Sequence, residues 1–310
     1  MRVAMTGASG LIGSALAGSL EADGHEVLRL VRPSGSSSGP GTAAWDPDAG
    51  TIDAAALEGL DGVVHLAGAG IGDKRWTDAR KQEVLESRTR GTGLLARTLT
   101  ELDAPPPVLV SGSAIGFYGD RGDQVLTEAD GPGGGFLANL VVAWEQAAQP
   151  ARDAGIRTVL ARTGIVLTPR GGALAKMLPL FRFGLGGPFG SGRQWMSWIT
   201  LADEVAALRF LLTAGELEGP VNLTAPAPVT NRQFAKALGR ALHRPALLPV
   251  PKFGPKIVVG GEMAEEMLFF SQRIAPAALT AAGHRFLHPD VDTAFPAVLA
   301  AGSSDGSNGR

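Results

Sequence analysis

Thr6-Gly7-Ala8-Ser9-Gly10-Leu11-Ile12-Gly13 is the stretch whose reading decides the fold of this chain. Its glycines keep the spacing G-x-x-G-x-x-G. The apolar run Val3–Met5 precedes it, and Leu11–Ala22 follows, with Leu11, Ile12, Ala15, Leu16 and Leu20 at helical spacing. A strand, a glycine turn and a helix in that order make a cradle for phosphate. One glycine permits the tight turn, one lets the backbone approach a pyrophosphate, and one lets the helix pack close to the sheet. The open N–H groups and the dipole at the helix start then hold the negative charge. Glycine spacing alone says little in a chain with 43 Gly among 310 residues. The flanking strand and helix give it meaning, and nucleotide binding is the expectation.

Working outward, Gly24-His25 turns the chain into a second strand, Val27–Val31. Sites for NAD place an Asp or Glu near the end of this strand, about 20 residues past the glycines, to bind the ribose 2′-hydroxyl. Leu30-Val31-Arg32-Pro33-Ser34 contains no acid, and Arg32 stands where a 2′-phosphate would lie. A guanidinium grips phosphate in bidentate fashion, whereas a carboxylate repels it. The expected cofactor is therefore NADP(H); a solvent-facing Arg after a strand is the plainer alternative.

Further strands are expected at Val63–Ala67, Val108–Ser111 and Thr158–Ala161, and helices at Lys74–Leu99, as one or two pieces, and at Phe136–Ala154. Strands alternating with helices imply right-handed crossovers and a parallel sheet. Residues 33–42 read as a flexible loop. After about Thr168 the pattern changes to a Gly- and Pro-punctuated stretch holding Trp195 and Trp198. Leu201–Leu212 resumes a helix with Thr200 and Asp203 as capping candidates, Val221–Leu223 a strand, and Asn231–Leu242 a helix begun at Asn231 or Thr230.

Composition removes whole classes of function. There is no Cys, which excludes disulfides, thiol nucleophiles and thiolate metal sites. Hydrophobic residues make up 45%, enough for a sizeable core. The net charge of −2 shows no basic surplus to call for nucleic acid or an anionic membrane surface. No apolar run approaches the roughly 18 residues of a membrane span. Val3–Met5 runs straight into the glycine turn, leaving no signal-peptide core, so a cytoplasmic protein is expected. Tyrosine occurs once, at Tyr118. No His, Asp or Glu cluster has metal-ligand spacing; Asp203 with Glu204 reads as a helix-capping pair.

The glycine turn, His65-Leu66-Ala67-Gly68-Ala69 and Ser113 together resemble the short-chain dehydrogenase/reductase superfamily, in its extended or atypical epimerase/dehydratase branch. One subgroup of NAD(P)-dependent epimerase-like proteins is closer still. Arg75-Trp76-Thr77, Ser87-Arg88 with Gly91-Thr92, Ser113-Ala114-Ile115-Gly116-Phe117-Tyr118-Gly119, Ser197-Trp198-Ile199, Pro220–Pro226, and the stretch from Arg244-Pro245 through Pro276 to Gly283 match it in order over about residues 1–300. The resemblance implies an α/β fold: a Rossmann-type doubly wound parallel sheet with a smaller α+β C-terminal substrate domain. Residues 1–168 would form the dinucleotide-binding domain, with 200–225 returning to it. Residues 169–199 and 226–300 would form the substrate domain, and 301–310 a disordered tail. Expected cofactor contacts are Thr6, Gly7, Ser9, Gly10, Leu11, Ile12, Gly13 and Arg32, joined by Leu66, Ala67, Gly68 and Ser113. The subgroup has no securely assigned reaction; plant and cyanobacterial members are linked to division of plastids or cells.

Active members of the superfamily use a Ser, Tyr and Lys set, with Lys four residues after Tyr to lower its pKa. Here Tyr118 is followed four residues later by Gly122. If Glu145 takes the place of the Glu that commonly follows that Lys, the dyad positions become Leu137 and Val141, which transfer no protons. Ser113, Tyr118 and Glu145 are the remaining catalytic candidates. Against them stand a strand-end serine, an aromatic packed in its loop and a helix-surface glutamate. Trp76, Arg88, Trp195 and Trp198 are candidates for a substrate pocket, with ion pairing and cluster packing as alternatives. His65, on a buried strand, reads as core. Two functions follow. One is an NADP(H)-dependent oxidoreductase or epimerase acting on a carbonyl or alcohol with altered proton handling. The other is a cofactor-binding module without turnover, regulatory or scaffolding. The helix at 136–154 also offers a surface for a homodimer.

Overall fold

The computed structural model describes residues 1–33 and 39–304. The expected loop at 33–42 falls in part, at 34–38, outside the described residues, as do 305–310 of the expected tail. Residues 301–304 are not a disordered tail; they end the helix Val291–Ser304.

The chain divides into two compact units. The first comprises Met1–Ala114, Asn139–Arg162 and Val205–Val221; the second comprises Ile115–Ala138, Thr163–Glu204 and the described chain from Asn222 onward. Ile115–Ala138 thus groups with the second unit, although it lies inside the expected span 1–168.

The first unit is built on an eight-stranded sheet. In chain order its strands are β1 (Arg2–Thr6), β2 (Glu26–Val31), β3 (Thr42–Asp46), β4 (Thr51–Ile52), β5 (Gly62–His65), β6 (Val108–Ala114), β7 (Arg157–Thr163) and β8 (Gly219–Leu223). Across the sheet they run β8-β7-β6-β5-β1-β2-β3-β4. The pairs β1–β2, β1–β5, β2–β3 and β5–β6 are parallel, and β4 lies antiparallel at the edge. β1, β5 and β6 read as continuous apolar runs because both faces of a parallel sheet are covered. Val3, Ala4, Met5, Val63, Val64, Leu109 and Val110 have no exposed surface. One face is covered by α2 (Asp78–Thr100), whose Leu95, Ala96 and Leu99 cluster with Ala4, Leu30, Val63 and Leu109.

The strand order reverses between β1 and β5, so their C-terminal ends flank the switch point at which such sheets bind ligands. β1 leads into α1 (Leu11–Ala22) through the glycine turn. The expected helix Phe136–Ala154 is two: α3 (Phe136–Ala147) and α4 (Gln149–Asp153), because Pro150 cannot donate to a continuing ladder and sits instead at the start of a new helix.

The second unit has its own core. Trp198, Phe234 and Phe295 pack there with Leu174, Leu178 and Leu238. The rings of Phe234 and Phe295 meet edge to face, 5.0 Å apart. The helix Asn231–Ala241 begins with a capping box: Thr230 accepts from the Gln233 backbone N–H, and the Gln233 side chain accepts from Thr230.

Candidate functional site

The C-terminal ends of β1 and β5 open into a cleft of about 770 Å³ in the first unit. Gly7–Gly10, Arg29–Arg32 and Leu66–Ala69 line it, with Trp45, Asp48 and Ser87. Gly7 has φ 67°, and a Cβ there would lie 2.8 Å from the carbonyl carbon of Leu66. A Cβ on Gly13 would lie 2.1 Å from the Gly7 oxygen, so only glycine lets the helix approach the turn this closely. Gly10 is the N-cap of α1 and offers no side-chain acceptor. The first-turn N–H groups, which have no intrahelical partner, remain available to an anion. These residues fit a dinucleotide pyrophosphate.

The facing wall is fixed by side chains beneath it. Thr6 Oγ1 accepts from the backbone N–H groups of Leu66 (3.1 Å) and Ala67 (3.2 Å), and meets His65 Nδ1 at 2.7 Å. Ser87 Oγ accepts from Ala69 N–H (3.0 Å), and Arg88 Nη1 donates to the Ala69 carbonyl (2.9 Å). Thr6 is thus a buried brace rather than a surface contact; Leu11, Ile12 and Gly13 flank the cleft without lining it. Burial drives the His65 pKa down from 6.5 to about 4, so the ring is neutral and packs edge to face on Trp45. Arg88, expected at a substrate pocket, is buried, spent on backbone carbonyls and stacked 4.9 Å over Trp144. Burial and the neighbouring Arg80 lower its pKa to about 10, and it stays charged at neutral pH.

Arg32 is well exposed at the cleft, 3.7 Å from the Asp48 carboxylate. Sequence reasoning missed Asp48 and Arg29. Asp48 lies beyond the 33–42 loop, and only the pairing of β2 with β3 carries its turn to the cleft. Arg29 is half committed to Glu21, at 2.6 Å.

Ser113 lies outside the cleft lining. It donates to Glu145 Oε1 at 2.6 Å, and Arg162 grips the same carboxylate through Nε (2.8 Å) and Nη2 (2.9 Å). Glu145 is therefore no surface glutamate; it is the nearly buried centre of a three-residue network that nothing in its local sequence announces. Val141 is buried. Trp76 donates to the Ile71 carbonyl at 3.0 Å.

The other candidates belong to the second unit. Tyr118 is fully buried, and its phenol donates to Asn222 Oδ1 at 2.7 Å. Trp198, expected at a substrate pocket, is fully buried and packs in the core of this unit. Trp195 donates to Asp123 at 2.8 Å, and the Arg273 guanidinium lies 4.2 Å over its ring. Of the two capping candidates Thr200 caps, its Oγ1 accepting from the Asp203 N–H at 3.1 Å; the Asp203 carboxylate accepts from Thr200 Oγ1 at 2.8 Å and from the backbone N–H groups of Leu287 and His288 at 2.6 and 3.1 Å. Glu204 does not cap. It is fully buried, accepts from Thr163 Oγ1 at 2.8 Å, and burial pushes its pKa up from 4.5 to about 8. Glu266 was not anticipated: its carboxylate accepts from the Phe136 and Leu137 N–H groups at 2.7 and 2.8 Å, closing the start of α3.

Comparison with known proteins agrees with this geometry. Residues 3–223 match the model of the NAD dependent epimerase/dehydratase family, and residues 250–298 match a domain of unknown function. An epimerase family protein of Mycobacterium bovis is 48% identical, covering 94% of this chain and 96% of its own. The human epimerase family protein SDR39U1 is 38% identical, over 97% and 100%. The crystal structure of human SDR39U1 isoform 2 with NADPH superposes with a TM-score of 0.88 at 36% identity, covering 97% of this chain and 99% of that one. The chain belongs to the NAD dependent epimerase/dehydratase family, with a Rossmann-like α/β fold and an NAD(P)-binding architecture.

Proposed function

We propose that this protein binds NADP(H) in the cleft at β1 and β5, and acts as an oxidoreductase on a carbonyl or alcohol substrate without the usual Tyr and Lys dyad. The observation that carries the cofactor choice is Arg32. It shares the cleft with the glycine turn, is exposed, and pairs loosely with Asp48 among the described residues. The loose, solvated pair costs little to break, and a 2′-phosphate offers the guanidinium two oxygens in place of a distant carboxylate. The relative solved with NADPH is consistent with that preference. The turn at Gly7–Gly10 and the start of α1 receive the pyrophosphate. Leu66–Ala69, held by Thr6, Ser87 and Arg88, present a backbone wall fixed by these hydrogen bonds. When bound, the dinucleotide supplies or accepts a hydride.

Proton handling falls to Ser113. Its hydroxyl hydrogen points at Glu145, whose charge Arg162 holds, so Ser113 Oγ presents lone pairs and not a free donor. As the substrate alcohol gives its proton to Ser113 Oγ, the hydroxyl's own proton passes to Glu145; in carbonyl reduction the same relay runs in reverse, from Glu145 through Ser113 to the developing alkoxide. Fluorescence titration with both reduced cofactors tests the binding claim. NADPH should bind more tightly than NADH, and Arg32→Ala should weaken NADPH about tenfold while leaving NADH unchanged. Equal or tighter binding of NADH sinks it. For the chemistry, loss of NADPH absorbance across a carbonyl panel should appear and should fall with Ser113→Ala at unchanged NADPH affinity.

A second reading has its own observation. The single phenol, Tyr118, is sealed in the second unit, and Ser113 is tied to an ion pair. Both suit a cofactor-occupied regulatory module. Tight NADPH binding with no turnover of any carbonyl class would favour it.

A further inference from the structure

The net charge of −2 conceals a strong segregation. Residues 163–202 contain no Asp or Glu, and neither do residues 222–261. Their charged side chains, His aside, are Arg170, Lys176, Arg182 and Arg193 in the first stretch, and Arg232, Lys236, Arg240, Arg244, Lys252 and Lys256 in the second. Both stretches belong to the second unit, and the fold lays them side by side. Arg244 Nε donates to the Arg182 carbonyl at 2.9 Å, Val250 N–H to the Pro188 carbonyl at 2.8 Å, and Gly190 N–H to the Val250 carbonyl at 2.9 Å. A Cβ on Gly187 would overlap the Leu248 carbonyl oxygen.

These strips hold large apolar side chains out in water. Phe183 is 80% exposed, Leu185 60%, Leu247 82% and Leu248 66%. The helix Phe253–Val259, which continues the second strip, buries none of its residues, and Phe253, Ile257 and Val258 are exposed to a similar degree. Single exposed apolar residues are ordinary; a contiguous set rimmed by charge marks an interaction surface. An open cleft of about 690 Å³ lies beside it, with Arg232, Lys236 and Arg244 around Pro245 and Leu247. Among the described residues, Glu265 lies 2.7 Å from Lys256 Nζ and 3.9 Å from Lys252 Nζ, and Asp292 lies 2.5 Å from Arg240 Nη2. These pairs are solvated and exchange readily for other anions.

Built from two strips that carry no acid of their own, and basic and apolar at once, the face matches an anionic phospholipid surface. A second copy of the same face would set like charges together. Nucleic acid would use the cations but give Leu and Ile side chains nothing to stack on. A bilayer uses both, attracting Lys and Arg to its headgroups and taking Phe, Leu and Ile into the headgroup–acyl boundary. We propose that the second unit docks peripherally and reversibly on an anionic membrane surface through Phe183, Leu185, Leu247 and Leu248, with Arg244, Lys252 and Lys256 at the headgroups.

Co-sedimentation of the full chain with vesicles of phosphatidylserine in phosphatidylcholine, against phosphatidylcholine alone, tests this. Partitioning onto the anionic vesicles should exceed that onto neutral ones by about tenfold or more, and should weaken with salt as the Debye length shrinks from about 10 Å at 0.1 M to about 3 Å at 1 M. Leu247→Ser with Leu248→Ser should cut that binding about tenfold. Lys252→Glu with Lys256→Glu should cut it as much and flatten the salt dependence. Circular dichroism and thermal melting unchanged in both variants establish that they fold. Equal binding to neutral vesicles, or full binding by both variants, overturns the proposal. So does a chain that is dimeric in solution and turns monomeric with the Leu247→Ser, Leu248→Ser pair, which gives the face to a second copy.

Discussion

His65 and Glu204 are both fully buried, and desolvation holds both uncharged by moving their pKa values in opposite directions. The consequences for stability have opposite signs. His65 has a folded value near 4 against 6.5, so between those limits the unfolded chain binds the extra proton. Its stability contribution is complete above 6.5 and is lost as pH falls toward 4. Glu204 has a folded value near 8 against 4.5, so between those limits the folded chain binds the extra proton. Its contribution is complete below 4.5 and is lost as pH rises through 8. Glu204→Gln, which cannot ionise, should therefore melt above the parent protein by a margin that grows from pH 5 to pH 8 and levels off beyond. A margin independent of pH would refute the buried neutral carboxyl. Gly13 gives a second expectation at this scale. With its Cβ position 2.1 Å from the Gly7 oxygen, Gly13→Ala must displace the turn. It should weaken NADPH binding by tenfold or more, read by the same titration.

Among the elements, those with a strong internal period were legible. β1, β5 and β6 follow from apolar runs, and α1 and α2 from helical spacing. β3 was not anticipated, because Thr-Ala-Ala-Trp-Asp is short and Ala is a poor strand former; pairing with β2 makes it a strand. The break between α3 and α4 was legible in principle at Pro150. The cap on α3 was not, since Glu266 arrives from 129 residues away in the chain. Glu266→Ala should strip two N–H groups of their acceptor and a helix start of its compensating charge. A loss of about 1–2 kcal/mol follows, measurable as a lower denaturant midpoint at constant slope. An unchanged midpoint would show that water replaces the carboxylate without cost.

At the scale of the whole molecule, ligand linkage offers the broadest check. A ligand that binds only the folded state at about 100 times its Kd stabilises by about 2.7 kcal/mol. NADPH at that concentration should raise the melting transition, and NADH at equal concentration should raise it less. The reverse order would transfer the cofactor assignment to NAD. Charge also belongs to this scale. The two acid-free stretches are visible in the sequence, yet the net value of −2 averages them away. Their meaning depends on the hydrogen bonds that join Arg182–Gly190 to Arg244–Val250.

The sequence alone determined the alternation of the main strands and helices, the phosphate turn and the lack of an acid in the segment around Arg32. Each of these is written within one turn or one period of chain, where steric rules and hydrophobic spacing act locally. The tertiary structure alone decided which polar groups meet and which are sealed from water. It brought Asp48 to Arg32, locked Glu145 between Ser113 and Arg162, and joined Tyr118 to Asn222 across 104 residues of chain. Burial and pairing at such separations depend on how whole layers pack, and no local pattern encodes them.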